Sequence, residues 1–275
     1  MDAISRQLIS LALKEDIGAG DSTTIMTVPE DMYAAGEIKA KADGVVCGIG
    51  VVKEVFRQVD GSIKFRPLAK DGDKVKPGAL IVVVEGRARS LLAAERTALN
   101  FLQRLSGVAT ETAKYVEAAV GTKAKVLDTR KTEPGMRALQ KYAVRCGGGK
   151  NHRMGLYDMV LIKENHIKAA GGIGPAVKAA RKVGLKVEVE TENLDEVKEA
   201  LRAGADIIMF DDMKPGNIKK AVRLVAGRAV TEASGGINLS NAAKIASTGV
   251  DTFSVGSITH SYRALDISMK IRVLQ

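Results

Sequence analysis

A repeating strand-then-helix pattern after residue 110 is the feature that most limits how this chain can fold. Six short, largely apolar segments are predicted as strands, at residues 125–128, 159–162, 186–190, 207–210, 229–231 and 252–255. Segments with helical periodicity lie between them, at residues 174–183, 194–203, 217–225 and 240–248. Such alternation is typical of a parallel sheet that is covered on both faces. Because no dinucleotide-binding fingerprint is present, it favours an α/β barrel, either open or completed by strands elsewhere in the chain.

The first 110 residues have a different pattern, which follows an opening amphipathic helix. Residues 36–42 and 62–66 alternate small or apolar with charged side chains, and residues 80–84 form a buried-strand run. A helix is predicted from residue 90 to residue 105, with leucines and alanines along one stripe. Arg96 lies off that stripe, and its position alone indicates a solvated face. The change of pattern predicts a separate N-terminal domain.

Composition excludes several classes of protein. The longest apolar run, residues 79–84, is far shorter than the ~20 residues of a bilayer-spanning helix, so we expect no membrane span. Cys47 and Cys146 are too few for a disulfide scaffold, and we interpret both as small buried residues. The N-terminus does not resemble a signal peptide, which indicates a cytoplasmic protein. The net charge of +10 indicates an acidic partner, but no block of like charges or grouped aromatic residues indicates nucleic acid.

Every predicted barrel strand ends in charged, hydroxyl or glycine residues. In α/β barrels the carboxyl ends of the strands converge on one mouth, where active sites lie. Five cations follow the first two strands or lie between them: Arg130, Lys131, His152, Arg153 and Lys163. Guanidinium groups pair with carboxylate and phosphate oxygens, so this half of the mouth predicts a site for a polyanion.

The other strand ends carry different chemistry. Glu190 and Asp211 follow the third and fourth strands, where they could hold a divalent cation or a sugar hydroxyl. Serine- and glycine-rich turns follow the last two strands, at Ser234, Gly235, Gly236, Gly256 and Ser257. Backbone amides at glycine-rich helix starts bind phosphate. Together the strand ends predict a phosphorylated sugar and an anionic acceptor as substrates.

Long motifs occur in order along the chain, at residues 128–135 (DTRKTEPG), 147–153 (GGGKNHR), 161–166 (LIKENH), 187–190 (VEVE), 234–237 (SGGI) and 255–261 (VGSITHS). They resemble the quinolinate phosphoribosyltransferases, the decarboxylating nicotinate-nucleotide pyrophosphorylases. The resemblance implies an α/β fold with an N-terminal α/β sandwich domain, residues 1–108, joined by a C-terminal tail from about residue 262 to 275. It implies an open α/β barrel as the catalytic domain, residues 109–261.

The resemblance also implies an activity. Quinolinate and phosphoribosyl pyrophosphate would give nicotinate mononucleotide, pyrophosphate and CO2 in de novo NAD biosynthesis, with Mg²⁺ as cofactor. The implied assembly is a homodimer, or a higher oligomer built from it. In that dimer Arg96 would enter the site of the neighbouring subunit, which replaces the interpretation of this residue as part of a solvated face.

Each motif residue receives an implied role. The quinolinate carboxylates would be held by Arg130, His152 and Arg153, with Lys163 alongside, and Lys131 would contact the phosphoribosyl donor. Glu190 and Asp211 would position the ribose hydroxyls and Mg²⁺, and a carboxylate there can stabilise positive charge on the anomeric carbon. The 5′-phosphate site would be lined by Ser234, Gly235, Gly236, Gly256, Ser257 and His260. Lys163 is also a candidate proton donor after decarboxylation.

Three alternatives stay open at this stage. A paralogous barrel associated with molybdenum uptake shares the implied fold, although the complete runs at residues 128–131 and 151–153 favour the quinolinate enzyme. A Schiff-base aldolase would use Lys163 as its reactive amine. A nucleic-acid-binding protein would instead use the basic surface.

Overall fold

The computed structural model describes residues 1–274, which form two compact units. The first unit contains Met1–Ala113, Glu133–Gly148 and the C-terminal segment from Tyr262. The second contains Lys114–Thr132 and Gly149–Ser261. The sequence predicts a boundary after residue 108, whereas residues 109–113 and 133–148 lie in the first unit. Packing explains the difference, because a Cβ on Gly147 would lie 2.4 Å from the carbonyl oxygen of Ala109.

Helices and strands are numbered along the chain. The helices are α1 (Ala3–Ile17), α2 (Ser22–Thr27), α3 (Ile49–Val59), α4 (Ala88–Ala118), α5 (Arg137–Cys146), α6 (Glu164–Ala170), α7 (Ile173–Ala180), α8 (Leu194–Ala203), α9 (Pro215–Val225), α10 (Ala242–Ala246) and α11 (Ser257–His260). A 3₁₀ helix (Arg181–Val183) follows α7. The strands are β1 (Tyr33–Ala40), β2 (Gly44–Val45), β3 (Lys64–Pro67), β4 (Lys74–Val75), β5 (Leu80–Arg87), β6 (Lys125–Leu127), β7 (Val160–Ile162), β8 (Val187–Thr191), β9 (Ile207–Asp211), β10 (Val230–Ser234), β11 (Thr252–Ser254) and β12 (Ile267–Val273).

The first unit is built on an antiparallel four-stranded sheet in the order β12–β1–β5–β3, beside a two-stranded sheet of β2 and β4. β5 contains the predicted buried run, and Ile81, Val82 and Val84 have no solvent-accessible surface. β12 pairs with β1 from Ala34 opposite Val273 to Ala40 opposite Ile267. The C-terminal segment therefore supplies an edge strand of this sheet.

Helix α4 is longer than the sequence predicts, because it continues through Ser106 and Gly107 to Ala118. Glycine weakens a helix interior, so local propensity favours an end near this position. Here a Cβ on residue 107 would lie 2.5 Å from the carbonyl oxygen of Arg263, and only glycine permits this close approach. Tertiary packing therefore overrides the local signal.

The second unit contains one sheet of six strands in the order β6–β11–β10–β9–β8–β7. All neighbouring strands in it are parallel. Within residues 1–274, β6 and β7 form the two edges and do not pair with each other, so the barrel is open between them. The predicted fold class, an open α/β barrel with an N-terminal α/β domain, is confirmed.

Local sequence accounts for several helix boundaries in this unit. Helix α8 has the predicted bounds, because the side chain of Asn193 accepts the amides of Asp195 and Glu196 and Gly204 ends the helix in a left-handed conformation. Helix α6 is not predicted, since residues 161–166 suggest only a strand and its end. His166 Nδ1 accepts the amide of Lys163 at 3.0 Å and thereby caps α6.

Over the described residues, no helix combines the length and apolar character needed to span a bilayer.

Candidate active site

The carboxyl ends of the parallel strands surround a cavity of about 630 Å³ in the second unit. Most of the predicted site residues line it: Arg130, Lys131, His152, Arg153, Lys163, Glu190, Asp211, Ser234, Gly235 and Gly236. Residues without a predicted role complete the lining, namely Thr129, Leu161, Met209, Asp212 and Ser254. These side chains are distant in sequence and meet because parallel strands end at the same edge of a sheet.

The other predicted residues lie outside this lining. Gly256, Ser257 and His260 belong to the turn and short helix after β11. A Cβ on Gly256 would lie 3.2 Å from Cδ of Lys131 and 3.0 Å from Nε2 of His260, so this turn is next to a cavity residue. Arg96 is exposed on α4 in the first unit.

Two guanidinium groups form the basic wall of the cavity. Arg153 is half-buried, and its Nη1 donates to the carbonyl oxygen of Met159 at 3.1 Å. Burial and the nearby charge of Arg130 lower the pKa of Arg153. Like charges held together in a partly buried wall repel each other, so a ligand with two negative charges would relieve this repulsion.

Lys163 pairs with a carboxylate on the adjacent strand. Its Nζ contacts Oε1 of Glu190, and both residues line the cavity. An ammonium group held by a carboxylate differs from the free amine that attacks a carbonyl in Schiff-base chemistry. This ion pair therefore disfavours the aldolase alternative.

A buried aspartate fixes the loop that carries His152 and Arg153. Asp128 lies at the end of β6 and has no solvent-accessible surface. Its Oδ1 accepts the backbone amide of His152 at 2.9 Å, and its Oδ2 accepts Nδ2 of Asn151 at 2.5 Å. A fully buried carboxylate needs such donors, so the aspartate and the loop hold each other in place. The sequence motif contains Asp128, but nothing in it assigns this residue a role.

Behind the cavity lining, His152 meets two buried glutamates. Its Nε2 lies 3.0 Å from Oε2 of Glu188 and 3.6 Å from Oε1 of Glu232. Its Nδ1 accepts the backbone amide of Arg153 at 2.7 Å. Burial and the negative charge of Glu188 raise the pKa of Glu232 to about 8, although His152 acts in the opposite direction. The raised pKa favours the protonated form of Glu232 at neutral pH.

Sequence reasoning did not identify the role of Glu188, although a signal was present. Side chains alternate across a strand, so Glu188 and Glu190 lie on the same face of β8. The buried valines Val187 and Val189 occupy the other face. Two glutamates on one face of a strand buried on both sides indicate a polar barrel interior.

Two groups of side chains at the cavity could hold a metal ion. Ligand atoms of His152, Glu188 and Glu232 lie within 4.8 Å of one another, but both glutamates are buried. Mg²⁺ prefers oxygen ligands and keeps several waters, so a dry site containing an imidazole fits it poorly. Glu190 and Asp211 are half-buried, line the cavity and offer only oxygen, so they fit Mg²⁺ better.

The turn after β10 has a backbone suited to an anion. Gly235 and Gly236 have φ angles of 88° and 56°, a region that favours glycine. Asp212, after β9, also has a positive φ of 49°. A Cβ on residue 235 would lie 2.4 Å from Oδ1 of Asp212, so the two turns pack without space for a side chain.

Family models match nearly the whole chain. The model of the quinolinate phosphoribosyl transferase N-terminal domain matches residues 21–106, and that of the C-terminal domain matches residues 108–270. A relative from Nicotiana glauca named quinolinate phosphoribosyltransferase [decarboxylating] 2, mitochondrial, is 46% identical, over 97% of this chain and 82% of its own length. A probable nicotinate-nucleotide pyrophosphorylase [carboxylating] from Bacillus subtilis is 44% identical, over 97% and 93%.

Solved structures agree with these matches. NadC from Streptococcus pyogenes superposes with a TM-score of 0.95 at 42% identity, covering 98% of this chain and 96% of that one. The nicotinate-nucleotide pyrophosphorylase from Francisella tularensis has the same TM-score and coverage at 45% identity. The family models, the fold and the sequence identity over almost the full length therefore agree: this chain belongs to the quinolinate phosphoribosyltransferase family.

Proposed function

We propose that the cavity of the second unit joins quinolinate to phosphoribosyl pyrophosphate, as a step of de novo NAD biosynthesis. The quinolinate nitrogen attacks the anomeric carbon of the ribose, and the bond to pyrophosphate breaks. The bond between the adjacent ring carbon and its carboxylate then breaks, which releases CO2, and a proton replaces the carboxylate to give nicotinate mononucleotide. One observation carries the proposal: a cluster of cations and the carboxylates of Glu190 and Asp211 line a single cavity.

The cationic wall suits quinolinate, which carries two carboxylates at neutral pH. Arg130 and Arg153 would each pair with a carboxylate, with Lys163 alongside. His152 would instead position Arg153, because Glu188 and the amide of Arg153 occupy its two ring nitrogens. The repulsion between the two guanidinium groups, which contributes to the lowered pKa of Arg153, would decrease when the dianion binds. Fixed cations also orient the ring nitrogen toward the ribose, which lowers the entropic part of the barrier.

The two carboxylates that line the same cavity suit the ribose. As pyrophosphate leaves, positive charge develops on the anomeric carbon, and Glu190 or Asp211 can stabilise it. The same two side chains would hold Mg²⁺, which when bound neutralises charge on the departing pyrophosphate. Lys131, exposed at the cavity edge, would contact that leaving group.

The proton for the final step has a candidate source. Loss of CO2 leaves an electron pair on the ring carbon, and the positive pyridinium nitrogen stabilises it. Nζ of Lys163 carries protons, lines the cavity and is held by Glu190. We propose that Lys163 donates the proton to this carbon.

The 5′-phosphate would bind at the glycine-rich turns. Ser234, Gly235 and Gly236 line the cavity with positive-φ backbone at both glycines. Gly256, Ser257 and His260 follow the neighbouring strand β11, and Gly256 lies against Lys131. Amide and hydroxyl donors from two adjacent turns would surround the phosphate oxygens.

We also propose a homodimer, in which Arg96 reaches the cavity of the neighbouring subunit. Arg96 is exposed on α4 and is not among the residues that line the cavity of its own chain.

We place the protein in the cytoplasm, because the two free thiols Cys47 and Cys146 suit a reducing compartment.

An assay that follows both products tests this proposal. The purified protein is incubated with phosphoribosyl pyrophosphate, Mg²⁺ and quinolinate labelled in the carboxyl group next to the nitrogen. We expect nicotinate mononucleotide and labelled CO2 in equal amounts. Absence of the mononucleotide would refute the proposed reaction, and release of CO2 without the mononucleotide would refute the proposed order of steps.

A pair of arginine variants tests the cationic wall. Arg153→Lys keeps the charge but loses the planar fork, so we expect kcat/KM for quinolinate to fall about 100-fold. Arg181→Lys is the matched control, because Arg181 contacts Gly204 and Asp206 at the amino ends of the strands. Equal activity of the two variants would contradict the proposed role of Arg153 in binding quinolinate.

A further inference from the structure

Two thiols of the first unit lie close together and have no role in the proposed reaction. The Sγ atoms of Cys47 and Cys146 and a carboxylate oxygen of Asp71 lie within 4.8 Å of one another. Cys47 has no solvent-accessible surface, whereas Cys146 is partly exposed. The interpretation of both cysteines as buried residues therefore holds for Cys47 and is wrong for Cys146.

The two cysteines are held by different elements of the unit. Cys47 precedes α3, and its backbone amide donates to Oγ of Ser106 on α4 at 2.9 Å. Cys146 is the last residue of α5, where the amide of Gly147 caps the helix. Because packing fixes both backbones, the proximity of the thiols is built into the folded unit.

The carboxylate of Asp71 already accepts hydrogen bonds from three protein groups, which argues against a metal site. Its Oδ1 accepts the amides of Gly48 and Ile49 at 2.8 and 3.0 Å, at the start of α3. Its Oδ2 accepts the hydroxyl of Tyr142 at 2.8 Å. A metal would have to displace these donors to gain a third ligand. The chemistry that remains is that of a thiol pair.

The surroundings make the two thiols unequal. A hydrogen bond from the Cys47 thiol lowers the pKa of Cys146, although partial burial and the charge of Asp71 act in the opposite direction. The same hydrogen bond and burial raise the pKa of Cys47. The thiolate is the reactive form of cysteine, so the more accessible thiol is also the more nucleophilic one.

We propose that Cys47 and Cys146 are a reversible dithiol–disulfide pair that is oxidised by hydroperoxides. The Cys146 thiolate attacks a peroxide oxygen, the O–O bond breaks, and the products are a sulfenic acid and hydroxide, which takes up a proton to become water when the oxidant is H2O2. The Cys47 sulfur then attacks the sulfenic sulfur. Its proton leaves with the displaced hydroxide as a second water, and the S–S bond forms. Two thiols are oxidised and one peroxide is reduced.

Peptide mapping of the full-length wild-type protein tests the pair. The reduced protein is treated with H2O2, unfolded in the presence of an alkylating agent, digested without reductant and analysed by mass spectrometry. We expect one linked peptide containing Cys47 and Cys146, with a mass lower by two hydrogen atoms than the sum of the free peptides. Titratable thiols in denaturant should fall from two to none and return to two with dithiothreitol.

Two variants test the order of steps. Cys47→Ala removes the resolving thiol, so Cys146 should accumulate as sulfinic acid at the dose that gives disulfide in the wild type. Cys146→Ser should leave Cys47 reduced, because the buried thiol is not reached. Free thiols or sulfinic acid at Cys146 of the oxidised wild type would overturn the proposal. A zinc ion that native mass spectrometry detects in the wild type, and that either substitution abolishes, would also overturn it and assign a metal site.

Discussion

Nε2 of His152 lies 3.0 Å from Oε2 of Glu188, and the glutamate side chain has no solvent-accessible surface. Glu232 approaches the same imidazole nitrogen from β10 at 3.6 Å. On the opposite side of the ring, Nδ1 accepts the amide of Arg153. Both ring nitrogens therefore face protein groups, and the imidazole couples two buried carboxylates to the loop that carries Arg153.

We predict that Glu188→Gln weakens quinolinate binding. The amide has nearly the same shape but lacks the charge that holds the imidazole, so the ring and the following Arg153 lose a fixed position. Loss of a buried charged partner costs about 1–3 kcal/mol, which corresponds to a fall in kcat/KM of about 5- to 150-fold. Steady-state kinetics should show a raised KM for quinolinate and little change in KM for phosphoribosyl pyrophosphate. Glu117→Gln, at an exposed position on α4, is the control, and equal kinetics of the two variants would contradict this role.

We predict that the free energy of unfolding decreases with rising pH because of Glu232. This carboxyl group has a pKa raised from its usual 4.5 to about 8 by burial and by the charge of Glu188. Between these pH values the unfolded chain releases a proton that the folded chain keeps, so the stabilisation is complete below pH 4.5 and is lost as the pH rises through about 8.

The variant Glu232→Gln isolates this contribution, since its amide stays neutral at every pH. Thermal unfolding at intervals from pH 5 to pH 8.5 should show a fall in Tm that is steeper for the wild type than for the variant. Parallel Tm curves would mean that Glu232 does not titrate in this range.

We predict that Gly235→Ala impairs use of the phosphoribosyl donor. The new methyl group would collide with Oδ1 of Asp212, and the φ of 88° disfavours any residue other than glycine. The turn must shift, so we expect a rise of about tenfold or more in KM for phosphoribosyl pyrophosphate. Gly216→Ala is the control, because nothing lies near the position of its Cβ. If the Gly235→Ala variant has a normal KM for phosphoribosyl pyrophosphate, the proposed role of this turn in binding the 5′-phosphate is contradicted.

We predict that two inactive variants restore activity in one mixed dimer. Arg96→Ala removes the residue proposed to cross to the neighbour, and Arg130→Ala damages the cavity itself. A heterodimer then contains one site with both arginines and one site with neither. Random exchange of subunits between equal amounts of the two variants makes about half of the dimers mixed, each with one complete site. We therefore expect about a quarter of the wild-type activity. Activity that stays at the level of the parents, although subunit exchange is verified by differently tagged chains, would contradict the cross-subunit role.

The parallel sheet could be predicted from sequence because its signals are local. Short apolar segments followed by helical periodicity appear in order, and the predicted strands overlap all six observed ones. The cations and carboxylates at the strand ends could be predicted for the same reason, since a strand end is a position in the chain. Helix α4 could not be bounded in this way, because the close approach of Arg263 to Gly107 involves residues far apart in sequence.

The sequence by itself determined the fold class, the family and ten of the fifteen residues that line one cavity. Each follows from periodicity or from motifs in which neighbouring residues carry the information. Only the tertiary structure decided how Glu188 and Glu232 meet His152, and how Cys47 comes close to Cys146. These relationships depend on burial and distance between segments that are remote along the chain. Burial also raises the pKa of Glu232, and no pattern of residue types specifies that shift.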